Sequence, residues 1–472
     1  MGSAESGNRS MVVAAILAAG KGTRMYADMP KVLYPLAGKS LLARVLDTVQ
    51  KAGINRSLVI VGYRGEEVRQ AFATYPNVEF VEQTPQLGTG HAMQQLLPVL
   101  ADYQGDVVVL AGDAPLFTPD TINNLIQVHQ ERQVSATILT ALMPDPTGYG
   151  RVFCTPDLQV ETIIEHKDCS PAQKLNNRVS TGAYCFRWPD LAQVLPKLDN
   201  HNAQQEYYLT AVFAMMHSVI AHDLVDWRES MGINDRYQLS QAYEFLQQQV
   251  RYRWMKAGVT MVLPETITIE ETVQLMPNVT IEPHTHLRGH TTIEAGCVIG
   301  PNSLIENSTI GQDCVVQYAV VRDSTIGSGC QVGPFTHIRQ QTIIGNNCRL
   351  GNFVELKKTS MGNFTNAAHL SYLGDSTIGT KVNIGAGTIT ANFDGFNKYP
   401  TIIGDRSKTG ANSVLCAPVT IGINCNIAAG SVITENVPDH TLAIARSRQV
   451  NKENYYDENG RKRTAGDSAK LP

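Results

Sequence analysis

A six-residue pulse runs through the second half of the chain. Aliphatic residues recur at Ile281, Leu287, Ile293, Ile299 and Ile305, and after a slip in register at Ile326, Val332, Ile338, Ile344 and Leu350. The pulse returns at Ile421, Ile427 and Ile433. A glycine often follows, as in Ile299-Gly300, Ile310-Gly311, Ile326-Gly327 and Ile344-Gly345. An α-helix repeats about every 3.6 residues and a strand about every 2, so neither produces this spacing. A hexapeptide period belongs to a β-helix, whose coils stack and bury one aliphatic ladder per face. The first half has no such pulse. Two architectures are joined, and two activities are to be sought.

Cysteine placement follows the same rhythm. Cys297, Cys314, Cys330, Cys348 and Cys425 each lie four residues after a ladder aliphatic, at Ile293, Ile310, Ile326, Ile344 and Ile421. That position is a small inward slot, where Cys acts as a small hydrophobe. No CxxC or CxxH pair occurs, and the total of nine cysteines is odd. Both facts argue against a metal cluster or an extracellular disulfide framework.

The 472 residues suffice for two or three domains. A charged fraction of 17% and a hydrophobic fraction of 43% describe a soluble globular protein. The formal net charge of −4 gives no support for a nucleic-acid partner. No apolar stretch approaches a transmembrane span, so membrane insertion is not expected. Residues 1–10 are polar, lack a signal-peptide core and read as a non-native leader before a natural start at Met11. The expected setting is the reducing cytoplasm.

Residues 11–235 alternate strand and helix signals. Val12–Ala18 and Val107–Ala111 suit buried parallel strands, and Leu41–Ala52, Gly90–Leu100 and Pro119–Arg132 carry helical spacing. The pattern predicts an α/β, Rossmann-like domain with its ligands at the carboxyl ends of the strands. Residues 236–257 read as one linker helix, with Leu239, Tyr243, Leu246, Val250 and Trp254 along one side. The β-helix follows over 258–450, and a polar tail over 451–472 is expected to be flexible.

Directly after the first strand comes Leu17-Ala18-Ala19-Gly20-Lys21-Gly22-Thr23-Arg24-Met25. Glycines at 20 and 22 let backbone N–H groups approach a phosphate, and Arg24 adds charge. The segment is not a Walker A loop. Nor is it a dinucleotide fingerprint, because Met25 stands where a third glycine is needed. Taken alone, such a turn is equally often only a turn; Lys31 in Pro30-Lys31-Val32-Leu33 could reach the same phosphates, though by itself a lysine there is more often a solvated surface residue.

This segment resembles the sugar-nucleotide pyrophosphorylases, and further matches follow in order. Gln83, Gln86 and Leu87-Gly88-Thr89-Gly90 resemble the base-and-ribose loop, and Ala111-Gly112-Asp113-Ala114-Pro115 the strand-end Asp motif. Gly148-Tyr149-Gly150-Arg151 and Glu165-His166-Lys167 resemble the sugar-contacting loops, and Gly232-Ile233-Asn234 the closing Asn motif. The resemblance implies a nucleotide and sugar site of Leu17, Ala18, Ala19, Gly20, Gly22, Gln83, Gln86, Gly88, Thr89, Gly150, Glu165 and Asn234. In that reaction a sugar 1-phosphate attacks the α-phosphate of a nucleoside triphosphate, so charge neutralisation and in-line positioning dominate. Asp113 and Asn234 would be oxygen ligands of Mg²⁺, and Arg24 and Lys31 would stabilise the phosphates.

In the second half, polar material breaks the ladder: Arg339, then Asn352-Phe353-Val354-Glu355-Leu356-Lys357-Lys358, Ala368-His369-Leu370-Ser371-Tyr372-Leu373-Gly374-Asp375, Asn383-Ile384-Gly385-Ala386-Gly387-Thr388 and Ala391-Asn392-Phe393-Asp394-Gly395. A lone His is more often structural than catalytic, but His369 has a carboxylate and cations within a few coils. These motifs resemble the left-handed β-helix acyltransferases, which use a His as general base. The two halves in this order, over Met11 to Arg446, resemble the bacterial bifunctional N-acetylglucosamine-1-phosphate uridylyltransferase/glucosamine-1-phosphate N-acetyltransferase family.

That family resemblance implies His369 as base and Glu355 as its orienting carboxylate. Arg339, Lys357, Tyr372, Asn383 and Lys398 would hold the sugar phosphate, and Ala386, Asn392, Phe393, Ala411, Ala429 and Arg446 would line the acetyl-CoA cleft. It further implies glucosamine 1-phosphate, N-acetylglucosamine 1-phosphate, UTP and acetyl-CoA as small-molecule partners, Mg²⁺ as cofactor and a homotrimer. Imidazole is suited to accept the amine proton near neutral pH, and the thioester is already activated, so no nucleophilic side chain is required. Phe393, Ala411, Ala111 and Ser180 depart from the family pattern by losing polar or aromatic groups. Two competing readings are a pyrophosphorylase of another sugar, such as ADP-glucose, whose β-helix serves only oligomerisation or regulation, and a non-catalytic sugar-nucleotide sensor. His369 with Glu355, Lys357 and Asn383 argues against the first, and Asp113 with Lys31 and Asn234 against the second.

Overall fold

The computed structural model describes residues 12–462 apart from Ala27, Ala203 and Asn454. The expected leader at 1–10 and the end of the tail at 463–472 lie outside these residues. The chain forms two compact units that divide between Val250 and Arg251.

In the first unit, side chains on successive residues of Val12–Ala18 point to opposite faces, and each face meets its own core. Ala14, Ile16 and Ala18 pack with Leu42, Leu46 and Ile122. Val13 and Ala15 pack with Met93, Leu96 and Trp188. This two-sided burial explains why the strand reads as an uninterrupted apolar run. The sheet order is Val219–Asp223, Ala136–Leu142, Arg178–Arg187, Asp106–Ala111, Val12–Ala18, Ser57–Val61 and Val78–Glu82. Only Arg178–Arg187 runs antiparallel to its neighbours on this path. The helix Leu41–Lys51 starts on a Ser40 hydroxyl that accepts from the Ala43 N–H. Pro119–Arg132 starts on Thr118 with proline in its first turn, a position where the missing N–H costs nothing. The helix expected over Gly90–Leu100 covers only Thr89–Gln94, and the remainder is turn up to Pro98, which disfavours a helical residue before it. The parallel strands bring the loops after Ala18, Val61, Glu82 and Ala111 to one edge.

One helix, Arg236–Lys256, runs through the division between the units. Beyond it, short strands stack in three columns of parallel pairs, for example Leu287 on Ile305, Ile293 on Ile310 and Ile299 on Val316. Every ladder residue named from the sequence is buried. The cysteine slot has a second use. The thiols of Cys297, Cys314, Cys330 and Cys348 each donate to a carbonyl one coil on, at Gly311, Gly327, Gly345 and Gly362. Thr365 and Ser407 fill the equivalent slot with hydroxyls that donate to Gly379 and Gly422. Val279 and Val382 fill it without a donor, so the slot selects a small side chain and takes a donor in most coils; no disulfide joins these cysteines.

The polar runs at 352–358 and 368–375 do not interrupt the coils. They belong to two nine-residue strands, Arg349–Lys357 and Asn366–Gly374, paired from Arg349 on Asn366 to Lys357 on Gly374. Apart from the buried Ser371, their polar side chains alternate with the inward residues and take the other positions, where polarity is free to vary. The true insertion is the loop after Asn392. A cross-coil bond there spans 25 residues, from Thr380 to Asp405, against 18 from Ser407 to Cys425. In the tail expected to be flexible, residues 455–462 close a small turn in which the Asp457 N–H donates to the Arg461 carbonyl.

Candidate active sites

At the strand-end edge of the first unit, Gly22 takes a left-handed conformation at φ +61°, and a Cβ there would lie 2.7 Å from that of Lys31. The loop therefore needs glycine to let Lys31 pass. Met25 is buried with Leu36, Leu41, Leu116 and Ile233: the residue that breaks the dinucleotide pattern pins the loop to the core. Arg24 is exposed and makes no ion pair among the described residues.

The Lys31 ammonium sits on the Asp113 carboxylate and donates to Asn234 Oδ1 at 3.2 Å. Asn234 reaches this point because the Ile233 N–H donates to the Asp113 carbonyl. Three expected residues, distant in sequence, thus converge around one cationic centre. A carboxylate and an amide oxygen form a hard donor pair suited to Mg²⁺, which usually takes its remaining ligands from water and phosphate.

Gln83 is buried, and its amide nitrogen donates to the Gly88 carbonyl at 2.9 Å. Its amide is spent holding the loop that presents Gly88. Gln86 lies against Gly62, where an added Cβ would be 2.7 Å from its amide nitrogen. The Thr89 hydroxyl accepts from the Leu209 N–H. Glu165 faces Gly150 and accepts from the Thr210 hydroxyl at 2.9 Å. Burial raises the Glu165 pKa, with the Thr210 bond opposing. Arg151 is fully buried and donates to the Tyr149 carbonyl, fixing the loop that carries Gly150.

In the second unit the candidate residues stand on outward positions of adjacent coils. Glu355 pairs in register with Tyr372, and Asn352 with His369. Arg339 donates twice to Glu355 Oε1, at 3.0 and 2.6 Å. His369 is exposed, and among the described residues no hydrogen bond joins it to Glu355. Lys357 is 7% exposed, with Asp375 at 3.8 Å. The neighbouring Lys398 amine and then burial lower its pKa, with Asp375 opposing. Asp375, to which sequence reasoning assigned no role, also accepts from the Asn392 amide at 2.5 Å. The available signal was its position one coil after Lys357. A Cβ at Gly374 would lie 2.5 Å from the Tyr372 hydroxyl and 2.9 Å from the Asn392 amide nitrogen. Glycine there leaves the hydroxyl its place. Asn383 lies on the strand paired with Asn366, outside this cluster of contacts.

The corner before these strands changes character along the stack. Tyr318, Phe335 and Phe353 are exposed, with Phe335 and Phe353 stacked at 5.3 Å. Later coils carry Leu370, Ala386 and Ala411, linked by backbone bonds from Gly387 to Leu370, Asn412 to Ala386 and Gly430 to Ala411. The aromatic knobs give way to the exposed Leu370 next to His369 and then to the small side chains of Ala386 and Ala411. Ala429 and Arg446 lie beside it, with the Arg446 stem 3.9 Å from a Cβ added at Gly430.

Residues 14–164 match the MobA-like NTP transferase domain, 264–363 the GMPPB C-terminal domain and 400–435 the bacterial transferase hexapeptide (six repeats). The bifunctional protein GlmU of Picosynechococcus sp. is 58% identical over 439 residues, covering 93% of this chain and 98% of that protein. GlmU of Nostoc sp. is 58% identical over 442 residues, covering 94% and 98%. GlmU of Trichormus variabilis is 58% identical over 450 residues, covering 95% and 100%. The chain belongs to the GlmU family. The similarity to these GlmU proteins covers 93–95% of the chain, and the four positions expected to depart from the family pattern have the following surroundings. Ser180 bonds the buried Tyr184 hydroxyl at 2.9 Å. Phe393 is exposed at the base of the inserted loop, bridged to Lys398. Ala411 belongs to the small-residue corner, and Ala111 packs against the core.

Proposed function

We propose that the two clusters are the two active sites of one bifunctional transferase of UDP-N-acetylglucosamine synthesis. The second unit N-acetylates glucosamine 1-phosphate with acetyl-CoA. The first then joins the product to UMP from UTP and releases pyrophosphate. The observation that carries this reading is the pair of separate constellations, Lys31–Asp113–Asn234 and Arg339–Glu355–Lys357–Tyr372–His369, in a chain of this family.

In acetyl transfer, the sugar amine attacks the thioester carbonyl, a C–N bond forms and the C–S bond breaks. His369, exposed and in register beside Asn352, accepts the amine proton. Arg339, Lys357 and Lys398 offer positive charge to the 1-phosphate, with Tyr372 and Asn383 as polar partners. The depressed pKa of Lys357 reflects crowded cations, an arrangement that a phosphate dianion relieves. The alanines of the corner leave room for acetyl-CoA, with Asn392, Phe393 and Arg446 around it.

In uridylyl transfer, the sugar phosphate oxygen attacks the α-phosphate of UTP and pyrophosphate leaves in line. Asp113 and Asn234 would hold Mg²⁺, whose charge offsets that of the phosphates. Lys31 and Arg24 add fixed positive charge. The backbone around Gly20, Gly22 and Gly88 is open to the nucleotide, and Glu165 with Gly150 to the sugar.

We further propose a cytoplasmic homotrimer. Among the described residues no helix is long and apolar enough to cross a membrane. The aromatic corner Tyr318–Phe335–Phe353 adjoins a column of outward residues, Val320, His337, Glu355, Tyr372 and Ile389. This surface supports burial against a second copy, which would complete a cleft that is one-sided on a single β-helix. The test is direct. Purified protein given glucosamine 1-phosphate, acetyl-CoA, UTP and Mg²⁺ is expected to form UDP-N-acetylglucosamine, detected by mass, and to sediment as a trimer. Product from pre-acetylated sugar alone would overturn the acetyltransferase assignment.

A further inference from the structure

We infer that His337 is a positioning residue that takes over the Glu355 carboxylate when Arg339 turns to the sugar phosphate. The inference rests on the acetyltransferase reading above. His337 lies on the strand Thr336–Arg339, in register with Val320 on the preceding coil and Glu355 on the next. Its Nε2 is shut off from solvent and has no hydrogen-bond partner. Native proteins seldom leave a buried polar atom unpaired without a use for it.

Glu355 supplies the complement. Both bonds from Arg339 land on Oε1, so Oε2 is left without a donor among the described residues. Arg339 is also a proposed phosphate ligand. A guanidinium already forked onto a carboxylate must release it, at least in part, to grip a phosphate dianion, and the half-buried Glu355 would then lose its donor. Tyr372 is the register neighbour on the other side, but its hydroxyl lies over Gly374, 2.5 Å from where a Cβ would stand. His337 is the remaining register neighbour that carries a donor. Burial, aided by Arg339 and Arg322 and opposed by Glu355, lowers the His337 pKa. Neutral or protonated, an imidazole keeps an N–H to give. Donating it from Nε2 satisfies the buried atom and holds Glu355 while Arg339 serves the phosphate.

The test compares His337→Gln, His337→Asn and His337→Phe in the full chain, following thiol release while each substrate is varied in turn. A glutamine amide nitrogen reaches the position of Nε2, an asparagine amide only that of Nδ1, and phenylalanine offers no donor. The Gln variant should keep its KM for glucosamine 1-phosphate within about threefold of the parent, while Asn and Phe raise it roughly tenfold or more with KM for acetyl-CoA nearly unchanged. If the Phe variant does not fold, the Gln and Asn pair decides alone. Gln and Asn behaving alike, or both KM values rising together, would overturn the positioning role. A parent protein that releases no thiol would instead overturn the acetyltransferase assignment, and this inference with it.

Discussion

The two halves build their chemistry from different parts of the fold. In the first unit, the functional groups lie in loops at strand ends, where Gly20, Gly22, Gly88 and Gly112 punctuate the chain. In the second, Arg339, Glu355, Lys357, His369, Tyr372 and Asn383 lie on the strands themselves, Glu355 and Tyr372 in the column that other coils fill with Leu304 or Val320, and Lys398 joins them from the inserted loop. A loop site gathers distant residues through turns and is sensitive to backbone conformation. A coil site obtains its geometry from the stacking repeat, so a single outward substitution can remove chemistry and leave the scaffold intact.

The sharpest test of that contrast is His369→Ala. Loss of a general base should lower acetyl transfer by roughly 10²–10⁴-fold, with the melting temperature and uridylyl transfer unchanged. Asp113→Asn should lower pyrophosphate release by about 10²-fold or more, and chelation of Mg²⁺ should have a similar effect, while thiol release persists under both. Gly374→Ala probes a coil position where backbone space matters. The added Cβ meets the Tyr372 hydroxyl, and a KM for glucosamine 1-phosphate raised about tenfold is expected. A variant with unchanged kinetics would show that Tyr372 is not held there.

Glu165 sharpens the comparison through pH. Its pKa is raised in the folded state, so the charged form costs stability. That cost is missing below the unfolded pKa and reaches its full size above the folded one. Glu165→Gln should therefore raise the melting temperature near about pH 8 and give no gain near about pH 4, while weakening the sugar substrate. The smallest effect is expected at Cys348. Serine keeps the donor to Gly362 and should cost under about 1 kcal/mol, whereas valine leaves that carbonyl unpaired and should cost about 1–3 kcal/mol by chemical denaturation. Equal costs would show that the slot selects on size alone.

Much of this was legible in sequence because each feature rests on a local rule. The ladder from Ile281 to Ile433 has a fixed period, and the small slot four residues later is a consequence of the same coil. The Gly-rich turn and Asp113 announce strand ends. Less legible were the consequences of register. The runs at 352–358 and 368–375 read as interruptions because their outward residues are polar, yet their inward residues Val354, Leu356, Ser371 and Leu373 keep the coil closed. The same limit hid Asp375 and His337. Their importance lies in which residue stands one coil away, and coil lengths vary around the inserted loop after Asn392. The pairing of Glu355 with Arg339 was hidden for a related reason: several cations lie within reach of that carboxylate in sequence, and only geometry selects one.

The central claim is that one chain carries two independent sites in series. The direct measurement follows free thiol and pyrophosphate separately in the parent, His369→Ala and Asp113→Asn, each given glucosamine 1-phosphate, acetyl-CoA, UTP and Mg²⁺. The parent should release both. His369→Ala should release neither until N-acetylglucosamine 1-phosphate is added, and Asp113→Asn should release thiol without pyrophosphate. Pyrophosphate released by His369→Ala from the unacetylated sugar, or thiol lost in Asp113→Asn, would contradict the account.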